Sequence, residues 1–327
     1  MTAPEIVVCI GAGRMGRGIA QCVAYAGHAV RLVDAKQRPA ADFAKLSAET
    51  LAEVEGGLAS LAALGAFDGK DVPTLMARVS VVPAPDAAAA LGDATLVFEA
   101  VPEVLEAKRS AFALFDAHAG GGALLASTTS TMLSTDLAAL TNSPARFLNA
   151  HWLNPALLMP LIELSPAAET SDETLARFRA FFEAIGKVPV TCKASPGDIV
   201  PRIQALAMNE AARLVEEGVA SAEDVDKAVT YGFGLRFGVL GLLEFIDWGG
   251  GDILYYASRY MADAMKDDRF AAPAIVSRNM EEGRIGLKTG EGFFDYRGVD
   301  VDAYRTRRMA AFFAALQNAG LARQPVL

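Results

Sequence analysis

The chain has 327 residues, of which 52% are hydrophobic and 21% charged. That length fits two domains better than one, and that composition supports a large buried core rather than disorder. A formal net charge of −9 argues against nucleic acid or an anionic membrane surface as a general partner.

The amino terminus, MTAPEIVVCIG, enters a strand almost at once and lacks the layout of a secretory signal. Residues 5–10 (EIVVCI) read as a buried strand, 14–27 as a helix and 29–33 (AVRLV) as a second strand. Strand, helix and strand over about thirty residues make a βαβ unit. An Ala- and Glu-rich stretch, 39–64, reads as helix. Short apolar runs follow at 79–82, 95–99, 124–127, 147–150, 161–164 and 188–192, with helical patterns at 103–119 and 172–185. This alternation predicts an α/β fold with a doubly wound, mostly parallel sheet. At KASPGD (193–198) the character changes, and helices are expected at 199–217, 222–230, 250–266 and 302–319. The expected division is therefore a sheet domain, 1–193, and an all-helical domain, 194–327. The longest strongly apolar run, 239–246, is too short to span a membrane and contains Glu244. Cys9, Cys22 and Cys192 show no metal-ligand spacing, so no metal is expected, and free thiols suit a reducing compartment. A soluble, cytoplasmic protein is the expectation.

The first strand leads into GAGRMG, residues 11–16, which matches G-x-G-x-x-G at the start of a helix. Gly11 permits the tight turn, Gly13 lets the backbone approach a pyrophosphate, and Gly16 lets the helix pack on the strand. Arg14 and Met15 complete the turn, and the helix N-terminus turns its amides and positive dipole end to the phosphates. Asp34 closes the second strand and would accept hydrogen bonds from a ribose 2′-OH, favouring NAD over NADP, a choice softened by the nearby Lys36 and Arg38. FAD, or a merely structural glycine turn, is the competing explanation.

Hydride removal from a hydroxyl needs a base for its proton, and histidine suits that work near neutral pH. His151 ends a strand-like run in the nucleotide half, and Glu163 lies 12 residues on, after a second apolar run. If the turn between them folds back, a carboxylate meets an imidazole and fixes its tautomer. Spacing alone leaves open that His151 is only a satisfied core or surface residue.

GAGRMGRGIA, FEAVPE (98–103), ASTTST (126–131), AHWLNP (150–155), LIEL (161–164), SPGDIV (195–200) and GLKTGEGFFDY (286–296) occur in that order. Together they resemble the 3-hydroxyacyl-CoA dehydrogenase family over nearly the whole chain. The resemblance implies a Rossmann-type NAD domain followed by a helical domain that builds a homodimer. It makes His151 the catalytic base and Glu163 its orienting carboxylate. It also implies that Ser130 touches the substrate and nicotinamide region, that Asn154 lies beside the nicotinamide, that Glu103 and Lys108 line the nicotinamide ribose, and that Lys288 reaches the cofactor. Plainer roles stay open: a helix cap for Ser130, a turn for Asn154, a solvated face for Glu103 and Lys108, and the surface for Lys288.

Three departures bear on the substrate. Pro201 stands where the family usually has Asn beside the catalytic pair, which opens the alternative of a catalytically weak NAD(H)-binding sensor or structural protein; Gln204 or Asn209 is a candidate substitute. Asp198 replaces an aromatic or apolar residue, as an N-cap or as a charge at the substrate pocket. Lysines expected to hold CoA phosphates are sparse, since residues 40–70 contain only Lys45 and Lys70 as bases, and Pro160 replaces a common lysine. With GLRF (234–237), this resembles relatives acting on short free hydroxy acids, and makes Arg236 a candidate clamp for a substrate carboxylate, unless it serves only at a surface or an interface. The sequence thus predicts NAD-dependent oxidation of an L-3-hydroxyacyl substrate, a short 3-hydroxyacyl-CoA such as 3-hydroxybutyryl-CoA in the first instance and a free 3-hydroxy acid in the second.

Overall fold

Eight strands form one sheet, and their residues explain why it is buried on both faces. The computed structural model describes residues 5–326. The strands are β1 (Ile6–Ile10), β2 (Ala29–Val33), β3 (Val79–Val82), β4 (Leu96–Glu99), β5 (Leu124–Ser127), β6 (Phe147–Trp152), β7 (Leu161–Pro166) and β8 (Val188–Thr191). Along β1, Val7 and Cys9 join one apolar cluster, while Val8 and Ile10 join the other. β4 divides in the same way, with Leu96 and Phe98 to one side and Val97 to the other. Successive side chains leave a strand on opposite faces, so a sheet covered on both sides needs apolar residues at every position. The aromatic cluster of Phe98, Trp152, Phe178, Phe181 and Phe182 fills the first face. Phe112, Phe115 and Phe147 fill the second.

The strand order is β3-β2-β1-β4-β5-β6-β7-β8. The chain runs outward from β1 to β3 and then restarts at β4 on the other side of β1. That reversal opens a crevice beyond the carboxyl ends of β1 and β4, where ligands of doubly wound sheets bind. Every pairing is parallel except β6 with β7. A short connection without a crossover helix can join only antiparallel neighbours. β6 also runs to Trp152, past the expected end at 150, so His151 sits within a strand and not after it.

One compact unit ends at Ala207 and another begins at Met208. The expected change of domain at 193–194 lies upstream of this division. The chain remains attached to the sheet because the amides of Ile199 and Val200 donate to Glu163 Oε1, at 3.0 and 2.7 Å, where the helix Val200–Glu216 begins. Pro201 occupies that helix's first turn, where its missing N–H costs little.

The second unit is helical, with Ala222–Ala228, Leu242–Gly249, Gly251–Met265, Ala274–Glu281 and Val301–Asn318 as its main helices. Leu242–Gly249 and Ala274–Glu281, each only eight residues long, are helices that the sequence reading does not include. After Ala228 the helix widens into a π-helical stretch, Val229–Gly234. The buried carboxylate of Asp247 accepts from the amides of Phe293 and Phe294, both at 2.9 Å, and pins the loop that carries Lys288. No single helix among the described residues is long and apolar enough to cross a membrane.

Candidate active site

The turn after β1 has the backbone that its glycines permit. Gly11 has φ +123°, and a Cβ there would lie 2.4 Å from the Ala100 carbonyl oxygen at the end of β4. A Cβ on Gly16 would lie 2.1 Å from the Gly11 carbonyl oxygen. Gly13 is different: a Cβ there meets nothing within 4 Å. It is the N-cap of the helix Arg14–Tyr25, with no side-chain cap of its own. Gly11 and Gly16 are therefore required by the fold, whereas Gly13 leaves open space before the helix amides. That space is what a pyrophosphate needs.

Two clefts meet at this turn, sharing Gly13, Ala100, Val101 and Pro102. One, of about 230 Å³, includes Gly11, Asp34, Lys36 and Arg38 in its lining. The other, of about 350 Å³, is lined among others by Arg14, Met15, Glu103, Lys108, Ser130, His151 and Asn154. An elongated ligand with a polar middle fits the pair, and NAD has that form. Asp34 is buried; its Oδ2 accepts from Arg38 Nε at 2.7 Å and its Oδ1 from the Lys36 amide at 3.2 Å. Both oxygens retain a lone pair for a ribose hydroxyl.

The contrast between the glycines has a direct test. Gly13→Ala leaves the thermal melt close to wild type but weakens NADH binding at least about tenfold by fluorescence titration. Gly16→Ala lowers the melting temperature as well, because backbone must move to admit the methyl. Equal loss of stability in both variants would show that Gly13 is structural.

His151 and Glu163 face each other across the β6–β7 pair. His151 Nδ1 lies 2.7 Å from Glu163 Oε2, with both side chains buried. Burial pushes the Glu163 carboxyl up, but the hydrogen bonds from His151 and from the Val200 and Ile199 amides outweigh it and hold the carboxyl below its usual range. A carboxylate there accepts from Nδ1–H and leaves Nε2 as the basic nitrogen. His151 lines the larger cleft, so that nitrogen has a substrate-sized space to serve.

Asp198 lies next to this pair and has φ +39°, a left-handed conformation that Asp tolerates better than most residues. Burial raises its carboxyl pKa, and the charge of Glu163 adds to the rise. The expected N-cap role is not seen, since Glu163 rather than Asp198 takes the first amides of the following helix.

Behind the wall of the same cleft lies a network that the sequence reading missed. Glu99, at the end of β4, and Lys108 are each almost wholly buried. Lys108 Nζ donates to Glu99 Oε1 and Oε2 at 3.1 and 2.9 Å, and lies 3.1 Å from Glu103 Oε2. Glu103 accepts from the Thr129 hydroxyl at 2.8 Å and from the Ser130 amide at 2.9 Å. Burial pushes the Glu103 carboxyl up, but the Ser130 amide, Lys108 and Thr129 together hold it below its usual range. Lys108 is thus enclosed by two acids rather than part of a solvated helical face. Ser130 caps no helix, for the next one begins at Ser134. The signal for Glu99 was present: an acid closing the otherwise apolar strand LVFE needs a buried cation.

Lys288 and Arg236 belong to the second unit. Lys288 Nζ is 3.7 Å from Asp252 Oδ2, and the Arg236 guanidinium lies over the Phe245 ring at 4.7 Å.

Comparison with known proteins agrees with this architecture. The description "3-hydroxyacyl-CoA dehydrogenase, NAD binding domain" matches residues 6–195, and that of the family's C-terminal domain matches 197–296. The mitochondrial hydroxyacyl-coenzyme A dehydrogenase of Homo sapiens is 34% identical over 293 residues, covering 89% of this chain and 91% of that protein. The 5-formyl-3-hydroxy-2-methylpyridine 4-carboxylate 5-dehydrogenase of Mesorhizobium japonicum is 31% identical over 307 residues, covering 92% and 94%. A solved 3-hydroxyacyl-CoA dehydrogenase from Archaeoglobus fulgidus matches with a TM-score of 0.75 at 30% identity, covering 97% of this chain and all of that one. With both of its domains matched and a dinucleotide turn at the head of its sheet, this chain belongs to the 3-hydroxyacyl-CoA dehydrogenase family and is an NAD-dependent oxidoreductase.

Proposed function

We propose that the protein oxidises the 3-hydroxyl of a short L-3-hydroxyacyl-CoA, such as 3-hydroxybutyryl-CoA, to the 3-oxo compound. The observation that carries this reading is the contact between His151 and Glu163 at the wall of the larger cleft. Nε2 of His151 takes the hydroxyl proton, and Glu163 stabilises the imidazolium that forms. NAD, when bound, accepts the hydride. Ser130 and Asn154, on the same wall, orient the substrate oxygen and the nicotinamide end. Gly11, Gly13, Arg14, Met15, Gly16 and Asp34 hold the pyrophosphate and adenosine end. Lys288 is the further cofactor-binding residue that the family resemblance implies. The second unit exposes apolar side chains, among them Met208, Tyr260 and Phe313, which suit a homodimer interface.

A free short 3-hydroxy acid is the second reading. The helix Ala40–Ala63 favours it, since Lys45 is its only basic residue and lies 3.9 Å from Glu49. Such a helix is poorly furnished for CoA phosphates. The Mesorhizobium relative, named for a pyridine carboxylate, gives a precedent for an acid substrate. Arg236 would then pair with the carboxylate while stacked on Phe245.

Initial rates of NAD reduction separate the two. Strong turnover of 3-hydroxybutyryl-CoA, with none of free 3-hydroxybutyrate or related acids, supports the first reading and sinks the second. If free acids are turned over instead, Arg236→Ala raises their KM at least about tenfold, the cost of a lost charge-assisted pair. An unchanged KM would remove the clamp.

A further inference from the structure

We propose that Glu99, which touches neither cleft, is a positioning residue for cofactor binding: it holds Lys108 in the core and so keeps Glu103 free to accept hydroxyls from the bound nucleotide. The proposal rests on the reading that Glu103 faces the nicotinamide end of NAD.

The geometry is a shared cation. Lys108 carries one charge and has two acids within reach. Glu99 takes the larger share, with both oxygens within 3.1 Å of Nζ. Glu99 is itself fixed by two further donors, the Ser127 hydroxyl at 2.5 Å and the Val101 amide at 2.9 Å. These three groups belong to β5, to the loop after β4 and to the helix Leu105–His118, so the carboxylate ties three elements together. Glu103 receives only one contact from Lys108 and is 40% exposed at its side chain. Its remaining bonds, to Thr129 and Ser130, shape the loop that presents Ser130 to the cleft.

Removing the charge of Glu99 changes this division. Lys108 would then have Glu103 as its only anionic partner. A buried ammonium seeks a carboxylate strongly, because an unpaired charge in the core is costly. Lys108 would therefore draw on Glu103 in full and compete with the ribose hydroxyls for its oxygens. Ser130 would lose its amide acceptor in the process.

Four variants test the idea: Glu99→Gln, Glu103→Gln, Glu99→Gln with Lys108→Met, and Ser127→Ala as a milder perturbation of Glu99. The readouts are KM for NAD, kcat and the thermal melt. Glu103→Gln should raise KM for NAD at least about tenfold, the effect of losing a charge-assisted acceptor. Glu99→Gln should raise it comparably while kcat at saturating NAD falls much less. The double variant, which has no ammonium left to draw on Glu103, should recover both thermal stability and a KM for NAD close to that of wild type. Should Glu99→Gln not fold, Ser127→Ala carries the test and should give a smaller rise in KM for NAD, in the same direction.

If Glu103→Gln raises KM but Glu99→Gln, or Ser127→Ala in its place, merely lowers the melting temperature, Glu99 is structural and the proposal fails. If the double variant recovers thermal stability but KM for NAD stays raised, Lys108 is not what occupies Glu103, and the proposal again fails. If Glu103→Gln leaves KM unchanged, the placement of Glu103 at the cofactor is wrong, a failure distinct from that of Glu99.

Discussion

Replacing His151 by alanine should lower kcat about a thousandfold while NADH affinity barely changes. The imidazole of His151 lines the larger cleft and is held at Nδ1 by the Glu163 carboxylate. Alanine removes the proton acceptor and leaves the Gly13 turn and Asp34 untouched, since both belong to other strands' ends. The loss should therefore appear in kcat and kcat/KM together, the pattern of an interaction made in the transition state. Parallel assays of wild type and variant over a panel of 3-hydroxyacyl-CoA thioesters and free hydroxy acids give the measurement. The control is NADH titration, which should give closely similar curves for the two. Equal turnover would refute His151 as base. Absence of turnover by the wild type on every substrate, with NADH still bound, would favour a nucleotide-binding protein without efficient catalysis.

The elements that could be read in the sequence were those whose physics is local. EIVVCI and AVRLV are short β-branched runs bounded by Gly and Asp, and they form β1 and β2. The G-x-G-x-x-G turn was equally clear, because Gly11 and Gly16 answer to contacts that no other residue can make. The hairpin of His151 and Glu163 could be framed only as a condition. Register depends on a partner strand, and one residue of slip would have turned the two side chains to opposite faces. What escaped the reading was non-local. Lys108 was placed by resemblance at the nicotinamide ribose, yet its main partners are Glu99, nine residues back, and Glu103. Ser127, which completes the Glu99 site, lies 28 residues further on. Likewise nothing near Glu163 in the sequence announces that it caps a helix 37 residues away. A buried charge signals that it needs partners, but not which ones the topology will bring.

Glu163→Gln should damage catalysis and stability at once, because one glutamine cannot meet both demands on that side chain. The carboxylate accepts on two sides, from His151 Nδ1 on Oε2 and from the Ile199 and Val200 amides on Oε1. Glutamine offers one oxygen and one NH₂. With the NH₂ turned to His151, Nδ1 becomes an acceptor, the ring proton moves to Nε2, and the base is blocked. With the NH₂ turned to the helix, two amide donors meet a donor, at about 1–3 kcal/mol for each group left unpaired. The first orientation should lower kcat by about two to four orders of magnitude, the second should loosen the start of Val200–Glu216. The pH dependence has a definite sign. The folded-state pKa of Glu163 is depressed, so its contribution is fully present above the unfolded value, about 4.3, and is lost as pH falls through the lower folded value. The gap in melting temperature between wild type and Glu163→Gln should therefore be widest near neutrality and should close in acid. Thermal melts across that range, with kcat at neutral pH, decide the matter. An unchanged kcat would free His151 from its proposed orienting partner, and a gap independent of pH would show that the ionised carboxylate is not what secures the helix.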